Sequence, residues 1–238
     1  MDFSLVLFDL DGTLVDCAGA GRRAIETAFR EVLDLPDIEV PSRRVRFEGK
    51  TDPVIVEEIA RAAGVPDARL AAAEPAFRAT YLRALREELS RPDPRRRVMP
   101  GARELLEALR LRPHVVTGLL TGNIEAGARA KLEPFGLNRY FASGGFSSDH
   151  KDRAEIARVA RNRLARLAGC EIPPARVAVV GDTELDVRCA RANGFRAIAV
   201  HSGWVTKDRL AAAGPDALFD DLTDLPAVLR ALGIGDAA

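Results

Sequence analysis

Two aspartates follow directly on the first apolar run of the chain, because LVLF at 5–8 leads into DLD, which holds Asp9 and Asp11. Residues two apart in an extended chain point the same way. Such a pair repels, and each carboxylate raises the pKa of the other, unless a cation lies between them. Asp182 and Asp186 follow a later apolar run, in GDTELD. Four converging carboxylates without an adjacent lysine or histidine predict a hard divalent cation bound by oxygen, and Mg²⁺ is the natural choice.

A plainer interpretation competes with the metal site. Single aspartates after apolar runs are often helix caps or turn residues. The Asp9/Asp11 pair occurs together with a second acidic motif, and this combination favours the metal site.

Small and hydroxyl-bearing residues follow the same apolar runs and predict an anion site. Gly12 permits an unusual backbone angle or a close approach by substrate, and Thr13 follows it. The Thr121 hydroxyl can donate to an anionic oxygen, although β-propensity alone also explains a threonine at a strand end. Gly122 and Asn123 open the next predicted helix, whose N-terminal N–H groups favour anions.

If the anion bound at this site is a phosphoryl group, the site also needs a fixed positive charge. The nearest candidates lie in SSDHKDRAEIA at 147–157, and they are Lys151 and Arg153. Arginine would offer bidentate contacts to a phosphoryl oxygen or a carboxylate.

Strand-length apolar runs alternate with amphipathic segments over most of the chain. Each run is apolar on both faces, as strands covered on both sides by helices must be. The predicted strands are 5–8, 115–121, 176–182, 196–201 and 217–219, and the predicted helices are 101–111, 123–135, 152–168, 184–193 and 223–232. This alternation predicts an α/β fold with a doubly wound, Rossmann-like parallel sheet.

The segment 17–98 breaks this alternation, because it shows helical patterns and no convincing buried strand. We interpret it as an inserted α-helical cap domain on a core made of 1–16 and 99–238. Within it, FEGKTDPVI at 47–55 is the best candidate for contact with the substrate. Gly49 permits a turn and Lys50 offers a charge, although Lys50 could equally be a solvated residue beside a helix start.

The composition limits the possible functions. Lys+Arg and Asp+Glu both number 35 in the 238 residues, and this balance argues against nucleic-acid binding. Three cysteines without CxxC spacing fit a reducing cytoplasm better than a disulfide framework or a zinc site. The N-terminus does not read as a signal peptide, and no run approaches the length of a membrane span. We therefore expect a cytoplasmic protein, a monomer or a homodimer, with a small-molecule partner.

Four motifs in order, DLDGTLVD, LLTGN, a basic residue before a helix and VVGDTELD, resemble those of the haloacid dehalogenase-like (HAD) hydrolases. The resemblance covers the whole core, and the 17–98 insert stands where that family places its helical C1 cap. Within that family, the chain is similar to the phosphoglycolate phosphatases. The third motif departs from the common Lys-Pro pattern, and Arg153 fills its position better than Lys151, which stays possible.

The resemblance implies roles for these residues. Asp9 would be the nucleophile that forms an aspartyl-phosphate, and Asp11 would protonate the leaving group, then activate water, with its backbone carbonyl on Mg²⁺. Thr121 would bind phosphoryl oxygens. Asp182 would be a metal ligand, and Asp186 would support the metal site or the basic residue.

The implied activity is Mg²⁺-dependent hydrolysis of a small phosphorylated metabolite. A phosphosugar mutase of the same superfamily is the alternative. Dehalogenating relatives need no acid at the position of Asp11 and no Mg²⁺, so this residue and the GDTELD acids speak against a 2-haloacid dehalogenase. The intact motif set speaks against a non-catalytic binding protein.

Overall fold

The computed structural model describes residues 3–202 and 204–235, and all numbers of elements below refer to this part of the chain. The strands are β1 (Ser4–Phe8), β2 (Val15–Asp16), β3 (Arg97–Val98), β4 (Val115–Leu120), β5 (Gly144–Gly145), β6 (Val177–Gly181), β7 (Arg196–Val200) and β8 (Ala217–Phe219). The helices are α1 (Ala20–Leu33), α2 (Glu39–Arg43), α3 (Asp52–Ala62), α4 (Asp67–Ser90), α5 (Ala102–Arg110), α6 (Glu125–Leu132), α7 (Arg153–Ala168), α8 (Glu184–Ala192), α9 (Lys207–Ala212) and α10 (Leu225–Ala231).

Six strands form one sheet in the order β5-β4-β1-β6-β7-β8. Every pairing in this sheet is parallel. The chain builds outward from β1 in one direction and then in the other, which is the doubly wound arrangement. The predicted α/β fold class is therefore confirmed, and the five predicted strands are all present.

The sheet is buried on both faces because successive side chains of a strand point to opposite sides. In β1, Val6 and Phe8 belong to one hydrophobic cluster, and Leu5 and Leu7 belong to the other. All four are at most 1% exposed. This double burial explains why the run at 5–8 shows no alternation of apolar and polar residues.

The segment between β2 and β3 contains four helices, α1 to α4. Helices α1 and α4 pack together, with the rings of Phe29 and Phe77 4.8 Å apart in an edge-to-face arrangement. We call α1 to α4 and the loops between them the helical insert. We propose that the insert is a cap domain with the bounds 17–98, on a core of 1–16 and 99–238.

Some elements were not predicted. Strand β3 pairs antiparallel with β2 at the base of the insert, Val15 opposite Val98, although the pattern of 17–98 showed no convincing buried strand. Strand β3 has only two residues, which are too few to show an apolar or alternating pattern. Strand β5 consists of two glycines, which carry no apolar side chain. Helix α9 has six residues. Within the described residues, no helix combines the length and the apolar character that crossing a membrane requires.

Candidate active site

Three neighbouring strands deliver polar residues to one edge of the sheet. Asp9 follows β1, Thr121 follows β4 and Asp182 follows β6, and these three are at most 5% exposed. The backbone N–H of Asp9 donates to the carbonyl of Val180 at 2.9 Å, which extends the pairing of β1 and β6 past the end of β1. Ligands of doubly wound sheets bind outside the carboxyl ends of the strands, where the winding reverses. The sheet reverses between β1 and β6, so the carboxylates stand at that crevice.

Arg153 is the cation at this edge. It is the first residue of α7, and Asp152 caps that helix by accepting the N–H of Ala154 at 2.8 Å. Nη2 of Arg153 donates to Oδ1 of Asp9 at 2.7 Å and to Oδ1 of Asp186 at 2.5 Å. The Arg153 side chain is 9% exposed, so the guanidinium is almost fully enclosed between two carboxylates.

Burial shapes the charges at this edge. The net pKa of Asp9 is about 7. Burial is the largest cause of the rise, the charge of Arg153 acts against it, and the charge of Asp186 adds to it. Burial also raises the pKa of Asp182 well above its usual range, and the charges of Asp9 and Asp186 act in the same direction. For Arg153, burial lowers the pKa, but Asp186 and Asp9 more than offset this, so the guanidinium stays charged. One arginine among three buried carboxylates leaves an excess of negative charge that a cation would neutralise.

The donor set fits a hard cation. Carboxylate oxygens of Asp9, Asp182 and Asp186 all lie within 4.8 Å of one another, and all three residues are buried. Oxygen ligands of this kind suit Mg²⁺. The fold brings three of the four predicted carboxylates together. The fourth, Asp11, is not part of this group, and it has a lysine partner, Lys131, which the sequence did not predict.

Asp186 is the most heavily hydrogen-bonded of the three. Its Oδ1 accepts from Arg153, and its Oδ2 accepts from the N–H of Thr183 at 3.0 Å and from the Thr183 hydroxyl at 2.7 Å. The N–H of Asp186 in turn donates to the Thr183 hydroxyl oxygen at 3.4 Å, and this reciprocal pair is the capping box that starts α8. Asp182 accepts only hydroxyl bonds among the described residues, from Ser202 to Oδ2 at 2.8 Å and from Thr13 to Oδ1 at 3.4 Å, and it pairs with no cation there. Asp9 and Asp182 are thus the better placed carboxylate ligands, and Asp186 holds the arginine.

The Thr121 hydroxyl is free to donate. Its Oγ1 accepts from Nδ2 of Asn123 at 2.8 Å and from the Asn123 N–H at 3.2 Å. Because both of these bonds use the oxygen as acceptor, the hydroxyl proton remains available for an anionic oxygen. Asn123 is 5% exposed, and its Oδ1 has no hydrogen-bond partner among the described residues.

Asp11 stands apart from the buried carboxylates. Its side chain is 29% exposed, and its Oδ2 accepts from Nζ of Lys131 at 2.6 Å and from Nδ2 of Asn123 at 2.8 Å. The Lys131 side chain is 8% exposed. Asp9 and Asp11 are only two positions apart in the chain, yet their carboxylates have different cations, Arg153 and Lys131.

A cavity of about 260 Å³ connects these residues with the helical insert. Besides Asp9, Asp11, Thr121, Arg153 and Asp182, its lining includes several predicted substrate contacts and residues of the insert: Gly49, Lys50, Gly122, Asn123, Asp52, Tyr81, Arg22 and Phe47. Trp204 also lines the cavity.

Residues at the start of α3 and in the loop before it form hydrogen bonds between the insert and the core. The N–H of Asp52 donates to the Gly122 carbonyl at 2.7 Å, and Oδ2 of Asp52 accepts the Ile124 N–H at 2.9 Å. The Gly49 carbonyl accepts from Nη1 of Arg153 at 3.2 Å. Lys50 forms an ion pair with Glu58 at 2.5 Å. The predicted substrate segment of the insert therefore touches the predicted phosphoryl-binding residues directly.

Some predicted site residues lie elsewhere. Lys151 is exposed, pairs with Glu57 and does not line the cavity. Gly12 and Thr13 lie behind Asp182 and not in the cavity wall. The Thr13 hydroxyl donates to Oδ1 of Asp182 at 3.4 Å, and a Cβ on Gly12 would lie 2.3 Å from Oδ2 of the same residue. These two residues contact or closely approach Asp182.

Two residues of the site were not singled out from the sequence. Lys131 lies within α6, far along the chain from Asp11, and the only available signal was that it is one of four lysines in the chain. Asp52 lies in the segment FEGKTDPVI, where the sequence around it indicated only a helix start. Burial raises the pKa of Asp52 to about 6, against the charge of Lys131 and the bond from Ile124.

Comparison with known proteins agrees with this geometry. The family model of haloacid dehalogenase-like hydrolases matches residues 3–194. A protein of Dickeya dadantii described as "Probable phosphatase IndB" is 32% identical, over 96% of this chain and 94% of its own length. A plasmid-encoded phosphoglycolate phosphatase of Cupriavidus necator is also 32% identical, over 98% of this chain and 96% of its own length.

The fold has solved counterparts. A crystal structure described as a "predicted phosphoglycolate phosphatase" from Haemophilus somnus superposes with a TM-score of 0.70 at 21% identity, over 96% of this chain and 98% of that one. The family match covers most of the chain, and the residues of all four motifs meet at one sheet edge. The chain therefore belongs to the haloacid dehalogenase-like hydrolases, and it is similar to the phosphoglycolate phosphatases among them.

Proposed function

We propose that this enzyme is a Mg²⁺-dependent phosphatase that hydrolyses a small phosphorylated metabolite through an aspartyl-phosphate on Asp9. The observation that carries the proposal is the position of Asp9. It is buried at the crevice, bonded through Oδ1 to Arg153, next to Asp182, and two residues from the more exposed Asp11. A nucleophile, a fixed cation and an acid–base residue thus meet at one cavity.

The phosphoryl group would lie between Asp9, Thr121 and Arg153. Thr121 has a hydroxyl proton to donate, and Nε of Arg153 is buried without a hydrogen-bond partner among the described residues. Donors fixed in advance in a buried site stabilise developing charge more than donors in water do. Arg153, and not the exposed Lys151, is the basic residue of the third motif in this proposal.

Asp9, Asp182 and the backbone carbonyl of Asp11 would hold the Mg²⁺ ion. When bound, Mg²⁺ screens the repulsion between Asp9 and an anionic phosphate and stabilises the developing charge. Asp186 takes the supporting role, because its two oxygens already bond Arg153 and Thr183.

The chain's own residues account for both halves of the reaction. Oδ2 of Asp9 forms a bond to phosphorus as the bond to the leaving oxygen breaks, and Asp11 gives that oxygen its proton. Water then attacks phosphorus as the aspartyl bond breaks, and Asp11 takes the proton of the water. One acid–base residue serves both displacements because the first step leaves it in the form that the second requires.

The substrate is small in this proposal. A cavity of about 260 Å³ lies below the roughly 300–1,000 Å³ of pockets for drug-sized ligands. The relative from Cupriavidus necator is a phosphoglycolate phosphatase, so we place the substrate in the same class. Gly49 and Lys50, from the insert, are the proposed contacts to the part of the substrate beyond the phosphate. The cytoplasmic location and the state as monomer or homodimer stay predictions from the sequence.

The decisive experiment is a panel of phosphorylated metabolites incubated with the purified enzyme and Mg²⁺, with phosphate release and sugar-phosphate isomers measured in parallel. We expect free phosphate, highest turnover for small esters such as phosphoglycolate, and loss of turnover when EDTA removes the metal. Isomerised sugar phosphate with little free phosphate would indicate the mutase instead. Absence of turnover with every ester would contradict the proposal.

A further inference from the structure

Lys131 is a buried cation to which the motifs of the reaction give no role. Its side chain extends from α6 to Asp11, where Nζ lies 2.6 Å from Oδ2. Only 8% of the side chain is exposed. Ordering a lysine side chain in the interior costs conformational entropy and hydration, so its place beside the acid–base residue calls for an explanation.

The residues around Lys131 leave space for its ammonium group and stabilise its charge. A Cβ on Gly21 would lie 3.2 Å from Nζ and 3.4 Å from Cε, so the glycine lets α1 pass close to the lysine. The Sγ of Cys17 donates to the Lys131 carbonyl at 4.0 Å. Burial lowers the pKa of Lys131, but the charges of Asp11 and Asp52 more than offset this and keep the amine protonated.

Lys131 and Asn123 bond the same oxygen of Asp11. Nδ2 of Asn123 reaches Oδ2 at 2.8 Å, and Nζ of Lys131 reaches it at 2.6 Å. Within the described residues, no hydrogen bond goes to Oδ1. One oxygen of the carboxylate is therefore held from two sides, and the other is left for exchange with a ligand.

We propose that Lys131 is a positioning residue for the reaction, which fixes Oδ2 of Asp11 so that Oδ1 exchanges the proton with the leaving oxygen and then with water. This inference rests on the proposed function, in which Asp11 is the acid and base. A carboxylate free to rotate would spend less time in the geometry that transfers a proton, and such losses of alignment slow reactions strongly.

The inference predicts an effect that depends on the leaving group. An alkoxide is a poor leaving group and needs the proton of Asp11, whereas p-nitrophenolate is a stable anion that leaves without it. The second displacement needs Asp11 as base for either ester. Loss of Lys131 should therefore slow alcohol release and dephosphorylation, and it should spare release of nitrophenol in the first turnover.

The experiment compares wild type, K131M, K131Q, K131R and K207M by rapid mixing with p-nitrophenyl phosphate, and by single-turnover alcohol release from the best alkyl phosphate of the panel. Lys207 is a matched control, because it pairs with Asp220 at 2.6 Å on the exposed helix α9. Circular dichroism checks the fold, and K131R and K131Q serve where K131M does not fold.

For K131M we expect a burst of nitrophenol at a rate within about threefold of the wild-type first turnover. Steady-state turnover after the burst should be slowed at least about tenfold, and so should alcohol release from the alkyl ester. General acid–base catalysis contributes about 10²–10⁴-fold, so its loss is expected to be of this size. K131R should recover part of this loss, and K207M should match wild type.

Equal slowing of the burst and of alcohol release in the K131 variants, or a change confined to KM, would overturn the inference. Wild-type enzyme that hydrolyses neither ester would contradict the proposed function itself, which is a separate result.

Discussion

Nη2 of Arg153 lies 2.7 Å from Oδ1 of Asp9, and both side chains are less than one-tenth exposed. The same nitrogen bonds Asp186 at 2.5 Å. Arg153 comes from the start of a helix after β5, and Asp9 from the end of β1, so this ion pair joins the first and third motifs. It fixes one oxygen of Asp9 and leaves the other for the proposed attack on phosphorus.

Replacing Arg153 should damage both catalysis and stability. R153M should lower kcat/KM for phosphate esters at least about 100-fold, the loss usual for removal of a donor that stabilises charge. It should also lower the free energy of unfolding by about 3–5 kcal/mol, because Asp9 and Asp186 would lose their buried cation. Phosphate-release kinetics and urea unfolding measure the two effects. K151M tests the other basic residue of this segment, and near-normal R153M activity together with an inactive K151M would reverse the assignment.

The raised pKa of Asp9 predicts how stability depends on pH without metal. In the folded state this carboxyl titrates at about 7, against 3.8 for the ordinary group. The folded protein therefore holds more protons than the unfolded one between about pH 4 and 7, and stability should fall as the pH rises through that window. Mg²⁺ bound at the proposed site would replace these protons, so it should raise the unfolding midpoint more at pH 8 than at pH 5.

Thermal unfolding followed by circular dichroism, with Mg²⁺ and with EDTA at each pH, measures this linkage. D182N removes one proposed ligand and should shrink the Mg²⁺ effect. An Mg²⁺ effect in wild type that is independent of pH, or equal in D182N, would contradict the proposed metal site.

Gly12 should tolerate no side chain, because it lies against Asp182. Its φ is +85°, and a Cβ would lie 2.3 Å from Oδ2 of Asp182. G12A should therefore displace that carboxylate and lower activity more than about tenfold, as well as straining the backbone. Gly64 gives a matched control, with φ +74° and nothing within 4 Å of the added Cβ. G64A should share the backbone strain, about 1 kcal/mol, and keep full activity; equal activity losses would show that strain alone is responsible.

The sequence predicted the sheet and the acidic edge because these depend on local patterns. Apolar runs buried on both faces, and carboxylates directly after them, are visible without knowledge of the fold. Parallel strands then meet at their carboxyl ends, so the grouping of Asp9 and Asp182 follows from topology. Strand β5 was not predicted because its two residues are glycines, which have no side chains to form an apolar pattern.

The roles of the two basic residues near α7 could not be separated by pattern alone. Lys151 and Arg153 are two apart in an irregular segment, and the helix start at Arg153, capped by Asp152, decides which side chain faces the crevice. The contact of Lys131 with Asp11 could not be predicted from the sequence for a different reason. Asp11, the partner of Lys131, is 120 residues away, and only the folded structure brings the two residues together, at the same cavity.

Phosphate release by purified D9N, compared with wild type in Mg²⁺, tests the central claim most directly. Asp9 is proposed to form the bond to phosphorus, and an amide in its place cannot do so. We expect turnover to fall at least about 10³-fold, the scale of loss when a covalent nucleophile is removed, while circular dichroism shows a folded protein. Wild-type turnover in pure, folded D9N would contradict Asp9 as the nucleophile.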